Sequence, residues 1–380
     1  MSDVGINVIV LQPCIRCMGY SYMKYIRNLL IHFKRHGLSI KFVPPNRYTM
    51  KRLRYYKDTF NIVHIPWLFD GRNALKYLAL IKILRYRVIA TLHGYGTLAL
   101  IKLYRSRGKC IPQNYFNWRL FLRRHARRIL GWYFARTLID HVITPSIAEK
   151  RNLVEVLQLP EDKVTAIHHG VNHNIFKEHK VDVVTRILEQ YHLSYKSYVL
   201  HVSRYQPKKN VERIIAAFAY LKRKLLSKRL SSKLKLVLVG NQPYDRLLKF
   251  VARLGLHAQD VIYLSNIPEN DLAILYNGAI CLTFPSLHES FGMPLVEAMA
   301  CGCPVVTSNV YAPPEIVGDA GILVDPFNIK AMAYAIHNLV TDESLRKELR
   351  RRALKRAKAF SWEKCALEHL KVYKSVITSR

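Results

Sequence analysis

Acidic residues are scarce in this chain of 380 residues: 26 Asp and Glu stand against 60 Lys and Arg, a formal charge of +34. The deficit is uneven. Residues 1–139 hold 26 basic side chains against Asp3, Asp58 and Asp70, or +23, and the remainder carries +11. No acid lies between Asp70 and Asp140, where Arg119, Arg123, Arg124, Arg127, Arg128 and Arg136 crowd together. Such a field attracts polyanions, either nucleic acid or an anionic membrane surface. Cysteine is also sparse. Seven in a long chain argue for a reducing cytoplasm over a disulfide framework. No apolar run reaches the roughly 18 uncharged residues of a membrane span. The first residues, Met-Ser-Asp-Val-Gly-Ile-Asn-Val, lack the basic region and cleavage site of a secretory leader and read as a first strand.

What is present is a regular alternation. Short apolar runs read as strands at Ile6–Leu11, Ser39–Val43, Ile62–His64, Val88–Leu92, His141–Thr144 and Val164–Ile167. A second set follows at Tyr198–Ser203, Lys235–Val239, Val261–Leu264, Cys281–Phe284, Pro304–Ser308 and Gly321–Val324. Amphipathic stretches lie between them. In Tyr22–Arg35, for example, Ile26, Leu29, Leu30 and Phe33 recur at helical spacing before Gly37. Buried strands alternating with helices predict parallel sheets covered on both faces. The length suits two such units, with ligands at the C-terminal strand edges. The linker is expected near Phe176–Val184 and a final helix over Phe360–Ile377.

Three loops carry candidate chemistry. After the strand ending at Ser203 come Arg204, Lys208 and Lys209, fixed cations able to neutralise a diphosphate leaving group. After Cys281–Phe284, residues 288–308 read His-Glu-Ser-Phe-Gly-Met-Pro-Leu-Val-Glu-Ala-Met-Ala-Cys-Gly-Cys-Pro-Val-Val-Thr-Ser. Pro294 at the first position and Gly302 just past the end predict a helix over Pro294–Cys301. Glu289 then falls in a loop and Glu297 in the first helical turns, beside an N-terminus that favours anions. Gly292 permits close backbone approach to a ligand. In the first half, Thr91-Leu92-His93-Gly94 ends a strand in a histidine, and Cys14-Ile15-Arg16-Cys17-Met18-Gly19 follows the first strand. Cys14 and Cys17 have the spacing of half a zinc site, but no second pair completes four ligands. His168, His169 and His173 resemble a ligand cluster.

The Glu289-x7-Glu297 stretch resembles the Glu-x7-Glu motif of retaining glycosyltransferases of family 4. The 203–210 loop is similar to that family's Gly-Arg-x4-Lys-Gly/Asn loop, with Arg204 and Lys209 matching and Ser203 replacing the usual Gly. Thr91-Leu92-His93-Gly94 matches its Thr-x-His-Gly pattern, and His169-Gly170-Val171-Asn172 with Phe176 its Asn-Gly-Val-Asp-x3-Phe region. The resemblance implies the GT-B fold, α/β, with two Rossmann-like domains whose parallel sheets face an interdomain cleft. The domains would span 1–178 (acceptor) and 179–359 (nucleotide sugar), with 360–380 crossing back to the first. It implies that Arg204 and Lys209 hold the diphosphate. Glu289 would take donor-sugar hydroxyls, Glu297 the ribose, and amides near Phe291, Gly292 and Met293 would orient the sugar. His93 would face the transferred sugar and Gly19 would pack on the diphosphate. Gly19 stands alone where the family carries a Gly-Gly pair.

The expected reaction moves a sugar from a nucleoside-diphosphate sugar to a hydroxyl with retention of configuration. No Asp-x-Asp occurs, which removes the metal-diphosphate motif of the other main glycosyltransferase fold, so no cofactor and no essential metal are expected. Tyr115, Phe116, Trp118, Phe121, Trp132, Tyr133 and Phe134 mix with the arginines of the acid-free stretch. That mixture predicts docking on an anionic membrane surface. The acceptor is then a glycan, lipid or phospholipid, and the location the inner face of the membrane. Nucleic-acid binding is the rival reading of the charge, without a recognised motif to carry it. An inactive relative of these enzymes is the other.

Overall fold

A computed structural model describes residues 6–11, 20–43, 48–65, 78–79, 81–93, 102–108, 136–241 and 243–379. The chain forms two compact units, Met1–Gly170 with Trp362–Arg380, and Val171–Ser361.

In unit 1 the strands are β1 (Asn7–Leu11), β2 (Ser39–Val43), β3 (Ile62–Ile65), β4 (Arg87–Thr91), β5 (His141–Thr144) and β6 (Val164–Ala166). Every pairing among them is parallel, in the order β2-β1-β3-β4-β5-β6. The named helices of this unit are α1 (Tyr20–Arg35), α2 (Thr49–Tyr55), α3 (Ile147–Leu157) and, from the chain's end, the helix Trp362–Thr378. Helix α1 forms as its spacing predicts, burying Tyr25, Ile26, Leu29 and Phe33 on one face. Ser146 caps α3 by accepting the Glu149 amide at 3.0 Å.

Unit 2 has β7 (Tyr198–Val202), β8 (Lys235–Val239), β9 (Val261–Leu264), β10 (Cys281–Phe284), β11 (Val305–Ser308) and β12 (Gly321–Val324). These pair in parallel in the order β12-β11-β10-β7-β8-β9. Its helices are α4 (Val181–Glu189), α5 (Val211–Tyr220), α6 (Lys228–Lys233), α7 (Tyr244–Arg253), α8 (Glu269–Gly278), α9 (Met293–Ala300), α10 (Ala312–Val317), α11 (Ile329–Thr341) and α12 (Glu343–Ala357). The helix Trp362–Thr378 is therefore α13. Strands β10 and β11 are buried along their whole length, which is why they read as unbroken apolar runs. Each unit has its own apolar core, around Ile9, Val63, Val88 and Val142 in one, and around Val199, Leu236, Phe218 and Ile336 in the other.

The units divide after Gly170, eight residues before the boundary expected at 178. Local pairing explains the difference. Val171 forms a parallel bridge with Ser361, and its amide donates to the Phe360 carbonyl at 3.3 Å, so the chain already belongs to unit 2 there. Helix α4 begins inside the stretch read as linker. Among the described residues no helix is long and apolar enough to cross a membrane.

Candidate donor site

The sheet of unit 2 has one switch point. From β7 the chain runs outward through β8 and β9; it then returns to place β10 on the other side of β7 and continues to β12. The C-terminal ends of β7 and β10 flank this switch point, the usual ligand position in such sheets. Both basic and acidic candidates sit on the loops leaving these two strands.

The β7 loop enters a short turn at Pro207–Lys209 and then Asn210, whose φ of +64° is left-handed. Asn210 is buried, and its amide donates to the carbonyls of Pro285 at 3.0 Å and Pro326 at 2.7 Å. The Leu287 amide donates to the Lys208 carbonyl at 2.7 Å. One side chain and one backbone bond thus lock the loops after β7, β10 and β12 together. Lys209 is carried over Phe284, 5.1 Å from the ring centroid, and its ammonium donates to Glu289 Oε1. Residues 80 positions apart in sequence become an ion pair. Arg204 lies exposed just beyond β7.

Glu289 is 8% exposed. Burial alone would raise its carboxyl, but the Lys209 and Lys208 cations outweigh burial and hold it below the ordinary carboxylate value. Gly292, at φ +97°, then opens α9. An L side chain is strained at this φ, so the turn favours glycine. Met293 is the first helical residue, Pro294 has no amide hydrogen, and the Leu295 amide donates to the Gly292 carbonyl at 2.9 Å. Glu297 sits in the second turn, buried, accepting the Tyr276 hydroxyl at 3.2 Å. Burial first, and the Glu297 charge second, raise the Tyr276 phenol well above its usual value, keeping it a donor. Phe291 is buried edge-on against Phe360 at 5.9 Å, so its side chain serves packing while its backbone shapes the loop.

Three positions not singled out from the sequence support the site. Gly240, past β8, has φ +126°, and a Cβ there would fall 2.2 Å from the Ser203 carbonyl oxygen. Only glycine lets these two strand ends approach. His201 is buried within β7; its Nδ1 meets the Thr283 carbonyl at 2.9 Å and its Nε2 the Ser203 hydroxyl at 2.7 Å. Burial pushes its pKa down to about 4. Asn210 is the third. The legible signals were a His inside an apolar run (Val199-Leu200-His201-Val202) and an Asn directly before a helix.

His93 lies in unit 1, two residues beyond β4. Burial, then the neighbouring His369, lowers its pKa to about 4, so the ring is neutral at physiological pH. Gly19, Cys14, Cys17 and the aromatic and arginine stretch from Tyr115 to Phe134 fall outside the described residues. Among the described residues no group of three or more His, Cys, Asp or Glu could hold a metal ion.

Two parallel six-stranded sheets, each with covering helices, define the GT-B class of glycosyltransferases. Anabaena HepE, in complex with UDP and glucose, shares the fold with a TM-score of 0.74 at 16% identity, over 97% of this chain and 100% of that one. The chain itself belongs to glycosyltransferase family 4. Residues 4–175 match the profile described as Glycosyltransferase Family 4, and residues 185–356 that described as Glycosyl transferases group 1. An uncharacterized glycosyltransferase of Methanocaldococcus jannaschii is 31% identical over 329 residues, 83% of this chain and 76% of the relative. The O-antigen chain mannosyltransferase B of Escherichia coli is 31% identical over 235 residues, 61% of this chain. The match spans 60% of that relative's length.

Proposed function

We propose that the protein transfers a sugar from a nucleoside-diphosphate sugar to a hydroxyl acceptor, with retention of configuration. The observation that carries this is the convergence of Lys209 and Glu289 at the β7/β10 switch point, beside the Gly292 turn and the N-terminus of α9. In this reading Lys209 and Arg204 hold the diphosphate and stabilise the charge it gains on leaving. The α9 N-terminus adds its dipole. Glu289 takes sugar hydroxyls and Glu297 the ribose. His93, neutral near pH 7, offers the sugar a hydrogen bond and no charge. The two cations and the helix terminus do the electrostatic work that a metal does elsewhere, so no essential metal is proposed.

A titration against UDP-, GDP- and ADP-sugars tests the donor reading. One nucleotide class is expected to bind, with affinity lost in Glu289→Ala and Lys209→Ala. Failure of every class would leave a family member with a repurposed site.

The acceptor is proposed to be lipid-linked or held at an anionic membrane surface. The charge of +34, concentrated in residues 1–139, supports this, as does the likeness to an O-antigen chain mannosyltransferase. Flotation is expected with anionic vesicles and not with neutral ones, and to weaken as salt rises. Absence from both vesicle types would reject the membrane part, and salt-sensitive DNA binding would favour the nucleic-acid reading in its place.

A further inference from the structure

Unit 1 contains a buried chain of polar side chains that the donor site does not use. Tyr373 Oη lies 2.5 Å from His64 Nδ1, and His64 Nε2 lies 2.8 Å from Thr91 Oγ1. Thr91 Oγ1 is 3.2 Å from Tyr25 Oη, and Tyr25 Oη is 2.8 Å from His369 Nε2. His369 Nδ1 ends the run on the Cys365 carbonyl at 2.7 Å. All five members are essentially removed from solvent, at 0–1% exposure. They come from α13, β3, β4 and α1, elements far apart in sequence.

The terminal carbonyl sets the direction of every bond. A carbonyl can only accept, so His369 carries its proton on Nδ1 and presents a lone pair at Nε2. Tyr25 must donate its hydroxyl proton to that lone pair. Its oxygen then accepts from Thr91, and Thr91 in turn accepts from His64 Nε2–H. His64 Nδ1, left as a lone pair, accepts from Tyr373. With both histidines neutral, as burial favours, each member donates one proton and accepts one, except at the ends, and each tautomer is dictated. Burial pushes His369 down to about 4 and His64 well below its usual value, in agreement with this assignment.

The chain reaches His93 through Tyr25. Thr91 is two residues before His93 on the same strand end. The Tyr25 ring meets the His93 ring edge-on at 5.2 Å, 78° between planes, and tilts against His169 at 4.7 Å. His169 lies 5.4 Å from His93 and stacks on Trp362, the first residue of α13, at 5.8 Å. His93 is thus walled by two rings held against α13, Tyr25 by its hydrogen bond to His369 and His169 by stacking on Trp362. A metal reading fails here, since both nitrogens of His64 and of His369 are already engaged in hydrogen bonds.

We infer that Tyr25 is a positioning residue for His93, and that α13 supplies, through His369, the acceptor that orients it. This rests on His93 acting in sugar transfer. The C-terminal helix then serves the reaction without touching substrate, and Tyr25→Phe should keep the packing while removing the bond that fixes the ring.

The experiment uses the full chain labelled with 15N-histidine. Ring spectra near pH 7 should show His369 protonated at Nδ1 and His64 at Nε2, and Tyr25→Phe should move the His93 resonances. Unchanged His93 resonances in that variant, or the opposite tautomers in the parent, would overturn the inference. Turnover is read as nucleoside diphosphate release from the UDP-, GDP- or ADP-sugar selected by titration. Tyr25→Phe is expected to lower kcat about 10- to 100-fold, as a small misplacement does, with the donor KM within about 2-fold. In a His93→Ala background the same change should have no further effect. Multiplying losses would mean that Tyr25 acts independently of His93, which sinks the positioning role. A normal kcat in His93→Ala would instead sink the reading of His93 itself. Thr91→Val, which removes the hydroxyl between Tyr25 and His64 with little change in volume, repeats both readouts should Tyr25→Phe fold poorly.

Discussion

Lys209→Ala is expected to lower both stability and turnover, each by a large amount. The Lys209 and Glu289 side chains are 16% and 9% exposed, so removal of the ammonium strands a buried carboxylate. Breaking such a pair costs about 3–5 kcal/mol, against total stabilities of about 5–15 kcal/mol for ordinary domains. Loss of one fixed cation from a leaving group also removes about 10²- to 10³-fold in kcat, the scale seen when one oxyanion donor is deleted. The pH dependence gives a second signature. In the parent, Glu289 is held below the usual carboxylate value, so its contribution is present above that value and is lost as pH falls. Without Lys209, burial dominates, the carboxyl rises, and the variant should lose stability as pH increases through the new value. Urea unfolding from pH 4 to 8 measures this. A variant with parental stability and turnover would show that the pair is neither a buried ion pair nor part of the donor site. Lys209→Met with Glu289→Leu should regain much of the stability and none of the turnover, because two well-packed apolar groups replace a buried pair without its desolvation cost.

Mild acid should unfold unit 1 ahead of unit 2. Burial lowers His93 and His369 to about 4 and holds His64 and His169 well below their ordinary value, while the unfolded chain titrates near 6.5. Between these values the unfolded chain binds more protons than the native one, so stability is full above about 6.5 and falls as pH drops. Each such group contributes about 1.4 kcal/mol per pH unit, or about 2 kcal/mol at pH 5. Unit 2 has His201 as its corresponding group, at about 4. The four histidines of unit 1 lie close together, so their sum is an upper bound, yet several kcal/mol is a large share of a domain's stability. Pulse proteolysis at pH 7.5 and 5.0, with the fragments identified, distinguishes the units. His369→Gln should flatten the acid dependence of unit 1. Equal loss in both units would indicate general repulsion from the net positive charge, which added salt would relieve.

Much of the frame was legible because the strands are buried on both faces. A run such as Cys281–Phe284 has no polar alternation to obscure it, and its observed limits are those read from the sequence. Small shifts have simple causes. Pro304 has no amide to donate, so β11 starts at Val305. Helix α9 starts one residue before Pro294 because the left-handed turn at Gly292 comes first. The donor loops were legible through their resemblance to a known family; of their candidates Lys209 and Glu289 form an ion pair, while Arg204 and Glu297 lie elsewhere in the same unit. The histidine chain was hidden. His64 in Ile62-Val63-His64-Ile65 and His369 four residues before Tyr373 look individually like core substitutions, and nothing local connects them.

The sequence alone determined the alternation of twelve strands with helices, the chemistry available on each loop and the charge of the first domain. These depend on periodicity and residue type, which act over a few residues. Tertiary structure decided which of those groups meet. Crossing from β9 back to β10 beside β7 brings Glu289 to Lys209, and packing of α13 on α1 brings His369 to Tyr25 across 344 positions. Such pairings are set by strand order and helix docking, where burying apolar faces dominates the energy, and the polar contacts follow from where that burial leaves them.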